Sequence, residues 1–268
     1  MKIKVDRTEY LPISAQDILK NYLKLSIDGV NIQTPYFINE EYDETYRKTH
    51  IVPADISRFK KKNSKNRVFI GKGNPQEIEK ATIVLLRKNK LILKTASIEV
   101  LRKLMLREGL GVDCSGFVAH ILNEAFKNLY KHPLVKFIHF SNKNLLKKLT
   151  TFLRPIENMS VEVFEKNAKE VKEFSDIQVA DIIISWSRQH VLLVTEVSYD
   201  KNGLPIYFKY ANSTWWYGKE NGVREGLVEV KNLNGSLAEQ KWLGDFDKKG
   251  KNWTFEGIKD GSRLMRVV

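Results

Sequence analysis

Gly111-Val112-Asp113-Cys114-Ser115-Gly116-Phe117-Val118 holds the only cysteine among 268 residues. A lone cysteine forms no intramolecular disulfide, and it is too few for a structural zinc site, which takes two to four. A core thiol or a nucleophile remains. The two glycines frame a short turn, and an apolar-periodic run starts at the cysteine. Phe117, Val118, Ile121, Leu122, Ala125, Phe126 and Leu129 recur at helical spacing, so the stretch predicts a helix with Cys114 on its buried stripe. A thiol at a helix N-terminus faces unpaired N–H groups and the positive end of the dipole. Both favour thiolate.

Upstream, three further helices are expected. Ser14 with Asp17 resembles a capping box opening a helix to about Ser26. Asn74-Pro75 reads as a cap plus a first-turn proline, opening a helix to about Lys88. Ser97 to Arg107 follows, stopped by Gly109 and Gly111. Gly71-Lys72-Gly73 lacks the rest of a phosphate loop's spacing and is not read as one. Downstream, residues 131–175 form a long connection with short helices expected at about 142–152 and 160–170. Strands are expected at Ile182–Trp186, Val191–Ser198, Leu204–Tyr210, Leu227–Val230, Trp253–Ile258 and Leu264–Val268. Helices first and strands second give an α+β fold, with an antiparallel sheet and helices on one face. Residues 1–95 read as a mostly helical N-terminal extension. Residues 96–268 read as the main domain, with an insertion at 131–175.

A cysteine nucleophile needs an imidazole partner. His120 lies six residues along the same helix and faces away. His50, His132 and His139 have no distinguishing context. His190 directly precedes Val191-Leu192-Leu193-Val194, so it stands at the mouth of a strand. Asp200-Lys201-Asn202-Gly203 signals a hairpin turn. If Tyr199 pairs with Leu204, partner numbers sum to about 403 and residue 190 lies opposite about 213. Asn212 falls within that window and could fix the imidazole tautomer. Ser213 and Thr214 are rivals, and Glu196 is too far along the strand.

Asp113-Cys114-Ser115-Gly116-Phe117-Val118 resembles the nucleophile motif of the NlpC-type cell-wall cysteine peptidases. Val179-Ala180-Asp181-Ile182-Ile183-Ile184 is similar to that family's Gly-Asp-Leu strand, and Gln189-His190-Val191 to its His-Val-Gly strand. Asn212 falls where the family has its third, polar residue. The resemblance covers about residues 97–268. It implies a papain-like fold and hydrolysis of amide bonds in peptidoglycan stem peptides. Thiolate Cys114 would attack, and His190 would protonate the leaving amine and then activate water. Asp113 is a helix cap or a ligand for the substrate amine. Ser115, Arg188 and Trp215, with Trp216, are further candidates for contacting substrate. The chain lacks the family's Tyr and Gly-Gly turn before the cysteine, and its Cys–His segment is longer than usual. A CHAP-type amidase or an acyltransferase would use the same thiol.

No metal or other cofactor is expected. The net charge of +13 suits an anionic partner such as bacterial cell wall. The lysine runs are short and lack interleaved aromatics, so no nucleic-acid stripe is expected. A non-enzymatic basic wall- or nucleic-acid-binding protein is the alternative. No apolar run approaches the roughly 18 residues of a membrane span. The chain reads as a monomer. No secretory signal is visible, although the family acts outside the cytoplasm, which leaves the compartment open.

Overall fold

Val191 to Val194 are all fully buried, an uninterrupted apolar run that only a sheet covered on both faces can accommodate. The computed structural model describes residues 4–37, 67–91, 97–140, 151–185 and 189–268. It is an α+β fold built on a large antiparallel sheet. The strands of that sheet are β1 (Arg7–Tyr10), β4 (Ala168–Glu170), β5 (Ile182–Ile184), β6 (Val191–Tyr199), β7 (Pro205–Thr214), β8 (Gly222–Glu229), β9 (Lys241–Trp242) and β10 (Arg263–Val267). Their order is β4-β10-β5-β6-β7-β8-β9, with β1 beside β6. A small hairpin, β2 (Leu25–Ile27) with β3 (Val30–Ile32), stands apart. No helix among the described residues is long and apolar enough to cross a membrane.

The helices are α1 (Ile13–Leu23), α2 (Pro75–Lys88), α3 (Ile98–Arg107), α4 (Cys114–Tyr130), α5 (Val161–Lys166) and α6 (Trp253–Ile258). On one sheet face Ile182, Ile184, Val191, Leu193 and Ala211 pack with Phe117, Ile121 and Leu122 of α4. On the other, Ile183, Leu192, Val194, Phe208 and Tyr210 pack with Phe174 and with Ile258 of α6. The expectation of helices on one face is therefore corrected, because the sheet buries both. Trp253–Ile258, expected as a strand, is the helix on the second face. The Asn252 side chain caps it by accepting from Phe255 N–H at 2.7 Å.

Local end signals held where side chains make them. Asn74 and Glu77 form a reciprocal capping box on α2, and Ser97 caps α3. The Ser14/Asp17 box does not form. α1 starts two residues earlier, with Pro12 at the N-cap position and no side-chain cap. It ends at Leu23, so β2 occupies part of the expected helix. The helix expected at 160–170 stops at Lys166, and β4 takes its last residues. Most of the helix expected at 142–152 lies outside the described residues, although 151–153 are helical.

The N-terminal residues are not appended to this sheet. β1 lies on the same edge of β6 as β5, pairing Arg7–Tyr10 with Tyr199–Glu196. A bulge at Thr195 opens the β6–β7 ladder, and the Thr195 carbonyl accepts the Leu11 N–H at 3.2 Å. Tyr22 of α1 packs edge-on against Phe117, 5.3 Å between centroids. Residues 11–32 and 68–86 thus share one core with α4.

Candidate active site

Asp113 sets the start of α4. Its side chain accepts the Gly116 N–H at 2.6 Å, and its own N–H donates to the Gly71 carbonyl at 2.8 Å. Gly71 has φ of 76°, a conformation suited to glycine. Two short chain segments flank the turn before the cysteine. Val112 bridges Lys72 on one side and Tyr36 on the other.

Lys72 is the main site feature absent from the sequence reading. Its ammonium lies 2.9 and 2.7 Å from the two Asp113 carboxylate oxygens. It also donates to Ser115 Oγ at 2.5 Å and to the Met159 carbonyl at 2.8 Å. Ser115 Oγ donates in turn to Asp113 Oδ1 at 3.2 Å. Both carboxylate oxygens and the serine hydroxyl are therefore occupied internally, and all three side chains are buried. Asp113 has the capping role, and its carboxylate and the Ser115 hydroxyl are both engaged within the protein. His120, on the next turns of the helix, bonds the Lys72 carbonyl oxygen at 2.9 Å. Burial holds its pKa down at about 4.

Cys114 Sγ lies 3.9 Å from the Gln189 carbonyl oxygen. Its position brings the thiol against the backbone on either side of His190. Burial, reinforced by the Asp113 carboxylate, pushes the thiol up to about 12. The Lys72 ammonium and the Val191 and Ser115 N–H groups pull weakly the other way. The expected preference for thiolate is thus reversed: desolvation of the anion outweighs the helix terminus.

His190 is held by its backbone. Its N–H donates to Ser185 Oγ at 3.1 Å, and its carbonyl accepts the Ser185 N–H at 3.0 Å. The ring is fully buried, and neither nitrogen has a hydrogen-bond partner. It packs on Trp216 and Trp215, with centroids 4.3 and 5.7 Å away. Burial alone lowers its pKa to about 3. Trp215 also packs on Tyr36 at 5.1 Å, so it joins the imidazole to the N-terminal segment. Arg188 lies outside the described residues.

Asn212 is close to where the hairpin arithmetic puts it. Leu193 pairs with Ala211, a sum one above the expected value. Continuing that register places Asn212 opposite Leu192, on the same sheet face as His190 but two residues away diagonally. Such neighbours are about 7–8 Å apart. The expected His190–Asn212 hydrogen bond is correspondingly absent, and Asn212 Oδ1 has no partner. Its amide nitrogen instead donates to Thr254 Oγ1 on α6 at 3.3 Å. Thr254 donates to Asp245 at 2.6 Å, and Asp245 is ion-paired with Arg224. The amide is thus held on the α6 face of the sheet, opposite the face that packs against α4, by residues with no sequence signal linking them.

Three orphaned atoms, both ring nitrogens of His190 and Asn212 Oδ1, lie on one buried sheet face. Each such atom costs about 1–3 kcal/mol. Among the described residues no group of three or more His, Cys, Asp or Glu side chains gathers in a way that could hold a metal ion. No protein-family model, curated protein or solved structure matches the chain.

Proposed function

We propose that this protein is a papain-like cysteine peptidase or amidase that hydrolyses amide bonds in peptidoglycan stem peptides, with Cys114 as nucleophile. The observation that carries this reading is the placement of the thiol. It sits at the start of α4, 3.9 Å from the Gln189 carbonyl oxygen, beside the residue bearing a buried imidazole with both nitrogens unused. The net charge of +13 fits an anionic wall polymer.

Because burial keeps the thiol and the imidazole neutral, the chemistry starts by proton transfer within the pair. His190 takes the Cys114 proton as Sγ attacks the carbonyl carbon. The imidazolium then gives that proton to the departing amine, leaving a thioester. Water, deprotonated by His190, displaces Sγ and releases the acid. The Cys114 N–H, at the first helical position and without an intrahelical partner, can stabilise the oxyanion. The ring must turn away from the tryptophans to reach Sγ.

Purified protein should release new amines from peptidoglycan fragments, and Cys114→Ala should release none. Amine release that survives the substitution refutes the reading. The raised thiol pKa and the missing Cys114–His190 hydrogen bond favour a second reading, a wall- or nucleic-acid-binding protein with an inert core thiol. That reading predicts no amine release by the wild type and salt-sensitive binding.

A further inference from the structure

The Lys72–Asp113 pair sits directly against the nucleophile's turn and plays no part in the chemistry above. We propose that Lys72 is a positioning residue for Cys114: it neutralises and clamps the Asp113 cap, so the thiol meets the helix terminus rather than an uncompensated carboxylate. The assignment of a catalytic consequence rests on the proposed function, whereas the electrostatic effect on the thiol does not.

Four contacts carry the inference. The ammonium bonds both Asp113 oxygens, Ser115 Oγ and the Met159 carbonyl. It therefore ties two chain segments, its own and that of Met159, to the first turn of α4. Gly116 leaves the room for it. A Cβ there would stand 2.9 Å from Lys72 Cδ and 2.7 Å from the Gly71 carbonyl oxygen. The lysine is also nearly dry, at 7% exposure, so solvent screens the pair little.

The charged groups acting on Cys114 are Asp113, which raises its pKa, and Lys72, which lowers it. Farther out lie the Arg67–Glu77 ion pair and His120, which face the other side of the Lys72 segment. His190 adds no charge while it stays neutral. Removing either member of the central pair therefore moves the thiol in a predictable direction. Without the lysine, the carboxylate acts alone and disfavours thiolate. Without the carboxylate charge, the ammonium acts alone and favours it. A purely structural clamp would give no such opposition, since loosening the turn from either side lets water reach the thiol and shifts it the same way.

The test is the pH profile of iodoacetamide alkylation, which reports one site because the chain has one cysteine. Lys72→Met should move the profile up, slowing alkylation at pH 8 roughly tenfold, as a pKa rise of about one corresponds to. Asp113→Asn, which keeps a good N-cap, should move it down. The double variant should return toward wild type, and Lys72→Arg should retain most of the wild-type profile by keeping the charge. Thermal unfolding of each variant checks folding. If Lys72→Met does not fold, Asp113→Asn and Lys72→Arg still give distinct expectations, a downward shift and a profile close to wild type. Shifts of the same sign in the two single variants, or an unshifted Asp113→Asn, overturn the proposal. Because no substrate is used, failure here leaves the amidase reading standing, and failure of amine release leaves this inference standing.

Discussion

Acidification should destabilise this protein well before its carboxylates titrate, and His190 should be the main cause. In the folded chain burial holds its pKa at about 3, against about 6.5 in an unfolded one. The unfolded state therefore takes the proton first. Stability present above pH 6.5 is lost as pH falls, and the loss continues down to about pH 3. Between pH 7 and 5 linkage gives a loss of about 2 kcal/mol from His190. His120, lowered to about 4 by burial and keeping one edge in water, adds about 1–2 kcal/mol. Asp181 works in the opposite sense. Its folded pKa is raised by burial, so the folded state gains protons there first. The comparison that isolates the imidazole is urea unfolding of wild type and His190→Gln at pH 7, 6 and 5. The wild type should lose stability along the series, and the variant should lose about 2 kcal/mol less. Imidazole proton resonances should show His190 still neutral at pH 5. Parallel curves for the two proteins, or a His190 midpoint at pH 6 or above, refute the neutral buried imidazole and with it a proton transfer that begins from two neutral partners.

Gly116→Ala should destabilise the fold by about 2–3 kcal/mol by overpacking, even though alanine gains about 1 kcal/mol of helix propensity; the added Cβ meets the Gly71 carbonyl oxygen at 2.7 Å. Urea unfolding reads the net sign. Arg266 pairs with the buried Asp181 carboxylate at 2.6 and 2.8 Å. Arg266→Met strands that charge and should cost about 3 kcal/mol at pH 7, the low end of the buried-pair range because part of the arginine is in water. Thermal unfolding should show that deficit shrinking as pH falls and Asp181 protonates.

What could be read in the chain was what acts over a few residues. The α4 start, the Asn74 cap and the helix start at Ser97 each depend on a side chain within three residues of the N–H it satisfies. The β6–β7 register came within two of the observed pairing because its turn, Asp200 to Gly203, is also local. The Thr195 bulge was invisible, since its partner is Leu11. Trp253–Ile258 was misassigned because aromatic and β-branched residues suggest a strand, yet Thr254 and Ile258 are buried at helical spacing behind the Asn252 cap. Lys72 was passed over because its partner lies 41 residues away.

The same division explains why the thiol's charge state was misjudged. A helix N-terminus favours an anion by about 0.3–1 kcal/mol at an exposed site and about 2 at best. Raising the thiol from 9.0 to about 12 corresponds to about 4 kcal/mol against the anion. The larger effect comes from burial in the surrounding core, most of it distant in sequence from Cys114, reinforced by Asp113. A nucleophile in such a place gains reactivity only when something else lowers the cost of its charge. The cation lowering that cost is Lys72, and it is already committed to Asp113. The remaining source is the proton acceptor itself. On the proposed amidase reading, the orphaned ring nitrogens of His190 would remove the proton as the bond to carbon forms, so that charge moves onto substrate oxygen rather than standing on sulfur. Dryness at this site therefore argues for concerted proton removal, and against a standing thiolate–imidazolium pair.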